Sequence, residues 1–267
     1  MNFENQLAFD LAASAYDEEF THSLIGKLQR QRVYFFLKKI LTDQSLRILE
    51  INCGSGEDAV WLAQQGHHVT ATDASPKMIE LVRKKISESK LEEKISTAIC
   101  DFDDLKNKFQ SEKFDFIFSD FGGLNCVSGD ELEKLSADFS SLLVPGGKFI
   151  AVIMGRKCWW ERSYFLMKGK SRDALRRNSK ELVEAKIGES TVPTWYYSPK
   201  EFQNLFLNEF QKIRVRPVGL FIPPSYLNPF FEKKKWLLSI LNLLEKMFSL
   251  SFLSDFADHF LIELIKR

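Results

Sequence analysis

The chain has 267 residues, 45% hydrophobic and 27% charged, and its 37 Lys and Arg against 36 Asp and Glu leave a formal net charge of +1. Such a chain buries a sizeable core, which excludes a disordered or collagen-like polymer, and the balanced charge argues against a general nucleic-acid binder. Cys53, Cys100, Cys126 and Cys158 are widely spaced, without a CxxC pair or a His at zinc spacing, so neither a disulfide framework nor a metal site is expected. The Met1-Asn2-Phe3-Glu4 start lacks the basic-then-apolar layout of a secretion signal, and scattered thiols fit the cytoplasm.

The first forty or so residues read as helix, with no strong turn signal before Thr42-Asp43-Gln44-Ser45. The chain then alternates. Strands are expected at 47–51, 68–72, 95–99, 114–118 and 148–154, with helices at 57–65, 76–87 and 130–143. Ser75 reads as an N-cap with Pro76 at the first helical position, and Pro145-Gly146-Gly147 as a turn. His67 and His68 sit at a loop-to-strand edge and read as surface residues.

The second half departs from this rhythm. A long helical stretch is expected over 158–178, a small hairpin from 182–187 and 192–197, a helix to Leu207, and a strand over 213–222 ended by Pro223-Pro224. An apolar helix over 233–248 then precedes a last strand at 259–265. That helix carries Asn242, Glu245 and Lys246 near its middle, so a transmembrane span is not expected. Its apolar spacing suits core packing or a homodimer surface, with Lys233-Lys234-Lys235 favouring peripheral membrane contact as a further reading.

The chemistry concentrates where a strand runs into Asn52-Cys53-Gly54-Ser55-Gly56 and opens a helix. Gly lets backbone approach a ligand closely, and the helix start offers unpaired N–H groups. Gly54-x-Gly56-x-x-Ala59 formally matches the dinucleotide fingerprint, and Asp73 ends the next strand, placed to accept two ribose hydroxyls. Glu50 inside the first strand, Asp101-Phe102 after the third, and a helical lead-in speak against a nicotinamide fold, although an oxidoreductase shares the glycine turn.

Over most of its length the sequence resembles the class I S-adenosylmethionine-dependent methyltransferases. Their first motif, E-x-G-x-G-x-G, corresponds to Glu50-x-Asn52-x-Gly54-x-Gly56, and their L-x-P-G-G turn to Leu143-Val144-Pro145-Gly146-Gly147. The resemblance implies S-adenosyl-L-methionine as cofactor, with Glu50 bracing the loop or reaching the methionine amino group and Gly54 and Gly56 passing beneath. It also implies ribose contact by Asp73 with Ala74 beside it, adenine contact by Met78, Asp101 and Phe102, and a place beside the reacting methyl for Asp120. The lead-in resembles the family's F-D…A…Y-D run, whose Tyr, here Tyr16, closes over the cofactor. Asn52 replaces the first motif glycine; Asn tolerates left-handed backbone, and its amide is placed to bond the methionine end. A binding protein without turnover is the corresponding alternative.

The expected architecture is an α/β, Rossmann-like three-layer sandwich, mostly parallel with an antiparallel last strand. Its parts are a helical lead-in over 1–45, a cofactor-binding core over 46–157, an inserted substrate cap over 158–210, and C-terminal elements over 211–267 that complete the sheet. The expected reaction is transfer of a methyl group to a small apolar or aromatic acceptor, O-methylation favoured. Trp159, Trp160, Trp195 and Tyr197 are expected around the acceptor, and His22 and His259 are candidate general bases by residue type. The basic run Lys168, Lys170, Arg172, Arg176, Arg177 and Lys180 reads as a solvated face or a dock for a phosphate-bearing or carrier-bound acceptor.

Overall fold

The computed structural model describes residues 3–187 and 190–267. The lead-in is two helices, α1 (Phe3–Tyr16) and α2 (Leu24–Leu37), rather than one. A π-helical turn at Asp17–Thr21 separates them, and Ser23 Oγ accepts from Gly26 N (3.0 Å), capping α2. That cap marks the new helix start missing from the periodicity, because one Ser after Thr21-His22, without Gly or Pro beside it, carries no strong turn pattern by itself.

Alternation follows: β1 (Arg47–Glu50), α3 (Glu57–Gln64), β2 (His68–Asp73), α4 (Pro76–Ser89), β3 (Ile95–Ile99), the short α5 (Leu105–Lys108), β4 (Phe114–Ser119), α6 (Gly129–Leu142) and β5 (Leu143–Met154). Ser75 caps α4 and Ser128 closes a capping box on α6. β5 begins at Leu143, ahead of the Pro-Gly-Gly turn: Leu143 pairs with Phe114 and Lys148 with Phe116, so the turn is a bulge within the strand.

The second half holds α7 (Trp159–Met167), α8 (Ser171–Ala174), the hairpin β6 (Val183–Ile187) and β7 (Ser190–Thr194), α9 (Pro199–Leu205), β8 (Phe210–Val218), α10 (Asn228–Glu232), α11 (Lys235–Met247) and β9 (His259–Lys266). The stretch expected as one long helix breaks at Lys168-Gly169-Lys170. β8 stops at Val218, before the prolines, because Gly219 takes φ +73°, which ends an extended run.

Seven strands form one sheet in the order β3-β2-β1-β4-β5-β9-β8; β9 is antiparallel to both neighbours, and β6–β7 stand apart. Ile48, Phe116, Phe118, Ile150 and Val152 point to one core, Leu49, Ile117, Phe149, Ala151 and Ile153 to the other. This period of two buries both faces, the Rossmann-like sandwich expected. Strand order reverses between β1 and β4, where open α/β sheets place ligands beyond the carboxyl ends.

Candidate cofactor site

A narrow crevice opens at that reversal, lined by Asn52, Gly54, Ser55, Asp58, Asp120 and Phe121 among others. Asn52 sits at φ +49°, the left-handed region. Its Nδ2 donates to Asp120 O (3.1 Å) and its Oδ1 accepts from Ser119 Oγ (2.7 Å), so the amide joins the ends of β1 and β4. A Cβ on Gly123 would come within 2.3 Å of the Asn52 Cγ, so the residue that replaces the motif glycine requires a glycine across from it. Asn52 lines the crevice with its amide already committed to β4.

Asp73 braces the turn from β2. Its Oδ2 accepts from Gly54 N and its Oδ1 from Ser75 N, both at 2.9 Å. Burial pushes its pKa up to about 6, against the lowering effect of those N–H donors. Each carboxylate oxygen keeps a further lone pair for a ribose hydroxyl. Gly56 caps α3 at φ +78°, and α3 carries Glu57 and Asp58 in its first turn.

Three carboxylates converge on one guanidinium beside this turn. Glu50, Asp58 and Asp120 are buried, as is Arg30 of α2, which pairs with Asp58 and stacks over Phe121 at 5.2 Å. Burial raises the Glu50 and Asp120 pKa values well above the carboxylate range, and the charge of Asp58 adds to it. Arg30 is held protonated, against burial, by Asp58. Glu50 Oε2 is 1 of the buried atoms with no hydrogen-bond partner among the described residues. A ligand bringing an ammonium and a sulfonium supplies the missing positive charge, so the residues present fit S-adenosylmethionine. A pyrophosphate would meet the same carboxylates as repulsion.

The lead-in straps the crevice. Asp10 accepts from Ser75 Oγ and lies 3.4 Å from Lys77 N, while Asp17 accepts from Ser55 Oγ and pairs with Lys85 at 2.8 Å. Asp17 is pulled below its ordinary pKa because those hydrogen bonds outweigh burial. α1 packs on α4 at one side and on β7 at the other. The Tyr16 side chain lies outside the described residues.

The remaining adenine-side residues are placed less directly. Asp101 caps the 3-10 turn 102–104, its Oδ1 accepting from Phe102 N. The Phe102 ring packs into the core, and Met78 is buried in the first turn of α4. Ala74 is half-buried between Asp73 and Ser75.

On the acceptor side, the structure separates the two histidines. His22 is exposed on the bend before α2. His259 is buried at the start of β9, opposite Met154, edge-on to Phe121 at 5.3 Å, with Nδ1 3.3 Å from Asp258 Oδ2. Asp258 is itself held by Arg177 (2.9 Å) and Gln29 (3.1 Å), and the facing His259 ring and Arg177 guanidinium drive its pKa far down despite burial.

The four aromatics expected around an acceptor lie outside the crevice lining. Trp159 and Trp160 donate their indole N–H to Leu220 O and Phe221 O, and Tyr197 Oη donates to Val127 O (2.6 Å). Trp195 packs against the core, its backbone held by Asn125. Their polar atoms anchor the insertion. In the basic run, Arg177 is buried and Arg176 half-buried, both bonded to Glu161, so these two are not part of a solvated face. His67 is also buried, its Nδ1 accepting from Leu46 N (3.2 Å), which corrects its reading as a surface residue.

Arg30, Asp58 and Asn125 were given no role at the sequence level. Asp58 resembles any acid in a helix's first turn, and Arg30 any cation on a helix; only tertiary pairing across 28 residues makes them a site.

Residues 48–147 match a family described as a methyltransferase domain. Over 142 residues the chain is 30% identical to a demethylmenaquinone methyltransferase of Clavibacter sepedonicus, covering 53% of this chain and 54% of that protein. The chain thus spans about half the length of that curated relative. Among solved structures, a SAM-dependent methyltransferase from Methanosarcina mazei superposes with TM-score 0.59 at 18% identity, covering 86% of this chain and 96% of that one. The magnesium protoporphyrin IX methyltransferase of Synechocystis, solved with bound SAH, gives 0.55 at 14% identity, covering 90% and 83%.

Proposed function

We propose, from the premise that the core of this chain is a class I S-adenosylmethionine-dependent methyltransferase domain, that the protein methylates a small apolar or aromatic acceptor at an oxygen. The observation that carries the reading is the group of three buried carboxylates with a single guanidinium at the mouth of the glycine turn. When bound, the cofactor supplies an electrophilic methyl carried on a sulfonium.

The chain's own residues do the rest. Glu50 and Asp120 take the cationic end, Asp73 accepts the ribose hydroxyls, and Arg30 holds Asp58 in place. α1 and the Asp17–Ser55 bond cover the turn and exclude water, so acceptor and methyl are held in line by proximity. Asp258, fixed by Arg177 and Gln29, orients the His259 ring toward the Phe121 side of the crevice, and His259 takes the proton of the acceptor hydroxyl as general base. The apolar ring of Phe121, which lines the crevice, and the quinone-type acceptor in the name of the Clavibacter relative support an apolar acceptor.

Thermal denaturation with S-adenosylhomocysteine against NADH tests the reading. The first raises Tm and the second does not, because only a ligand bound by the native state stabilises it. His259→Gln then lowers kcat by about 10²- to 10⁴-fold with cofactor affinity unchanged. Stabilisation by NADH alone overturns the cofactor assignment, and an unchanged kcat removes His259 as base.

A further inference from the structure

α11 is apolar on two faces. Its inner face sets Leu238 against Ile25 and Phe231, and its Glu245, fully buried, accepts from Gly219 N (3.0 Å), Phe221 N (2.7 Å) and Ile222 N (3.3 Å). Those three bonds fix the rotation of the helix. The outward stripe is therefore Trp236, Ile240, Leu243 and Met247, at spacings of 4, 3 and 4, each between 48% and 67% exposed. The stripe continues past the helix into Leu250 and Phe252, the latter 71% exposed.

Charge around the stripe is mainly positive. Lys233, Lys234, Lys235 and Lys246 are all exposed, while of the acids nearby Glu245 is buried, Asp255 is half-buried and paired with Lys157 (2.8 Å), and Glu232 is exposed and accepts from Asn228 (2.8 Å). Lys234 Nζ lies 4.7 Å over the half-exposed ring of Phe230. No helix among the described residues is long and apolar enough to cross a membrane, and 13 residues of helix reach about 20 Å, short of a bilayer's hydrocarbon thickness. A helix with one apolar stripe, aromatic residues at its ends and a lysine border lies in the plane of an interface.

We propose that this face docks the protein on an anionic phospholipid bilayer, the stripe entering the headgroup boundary and the lysines meeting lipid phosphate. A second copy of the chain is the poorer occupant, since an isologous pair would set two four-lysine borders together with only Glu232 exposed among the acids beside them. The connection that holds α11 leaves β8 and returns to β9 at the sheet's carboxyl edge, the edge that carries the crevice. The inference does not depend on the chemistry of methyl transfer.

Cosedimentation with vesicles tests it, comparing equimolar phosphatidylcholine and phosphatidylglycerol with phosphatidylcholine alone. The full chain partitions onto the anionic vesicles and is released by high salt. Lys233→Glu with Lys234→Glu and Lys235→Glu lowers the partition coefficient on the order of a hundredfold or more. Trp236→Ser with Leu243→Ser lowers it at least about tenfold, with unchanged circular dichroism for both variants. Absence of vesicle binding by the folded wild type, or binding that both variants leave intact, overturns the proposal. So does a dimer in sedimentation velocity that the stripe variant dissociates, which reassigns the face to a second copy.

Discussion

Asn52 shows how one substitution in a ligand loop is absorbed by its neighbours. Its left-handed φ is open to Asn as well as Gly, its amide joins Ser119 to Asp120, and the absent Cβ of Gly123 makes room for that amide. Gly123→Ala therefore destabilises the protein by about 1–3 kcal/mol through overpacking. In an Asn52→Gly background the same change costs much less. Urea denaturation of the four proteins of that cycle checks the coupling, and additive effects would refute it. Asp73 yields a pH prediction. Its pKa rises from an ordinary 3.8 to about 6 in the folded chain, so between those values the native state holds more protons than the unfolded one, and Asp73's contribution to stability falls as pH rises through that window. Cofactor affinity moves oppositely, growing as pH rises through about 6, where the carboxylate becomes available to the ribose. Titrations across that range read both. The motif glycines and Asp73 were legible because their meaning is local: a turn, a helix start and a strand end encoded within a few residues. Arg30, Asp258 and the burial of His67 were not, since each depends on a partner more than 20 residues away.

The elements were legible where the pattern is periodic and lost where a single side chain decides. The strands of the core appear at their expected places because alternate residues feed two cores. The lead-in was read as one helix because the Ser23 cap leaves no periodic trace, and the 158–178 stretch because helical residues flank its Gly. The insertion's attachment was likewise invisible: Glu161 and Arg177, both buried, tie it to Asp258 at the start of β9. Arg177→Ala leaves the buried Asp258 without its guanidinium partner, while Glu161 keeps Arg176, and lowers unfolding free energy by about 3–5 kcal/mol. Denaturant unfolding measures that loss. A change within a few tenths of a kcal/mol would mean the network contributes nothing to holding the insertion. Since Arg177 also fixes Asp258, the variant slows turnover beyond what its stability explains, if Asp258 orients His259.

At the scale of the molecule, one sheet edge gathers the glycine turn, the post-β4 loop, the Asp258–His259 pair and the connection carrying α11. The lead-in crosses from α4 to β7 over that edge, tied down by the Asp10–Ser75 and Asp17–Ser55 bonds. The fold class was readable from strand and helix alternation; the buried carboxyl cluster at the crevice appeared only when Arg30 of α2 met Asp58 of α3 across 28 residues. Calorimetric titration of the full chain with S-adenosylmethionine, beside the Asp73→Ala variant, tests that arrangement most directly. The account predicts saturable binding to the wild type and a loss of about 1–3 kcal/mol in the variant, as for charge-assisted hydrogen bonds. Undetectable binding to the folded wild type, or equal affinity for both proteins, would contradict it.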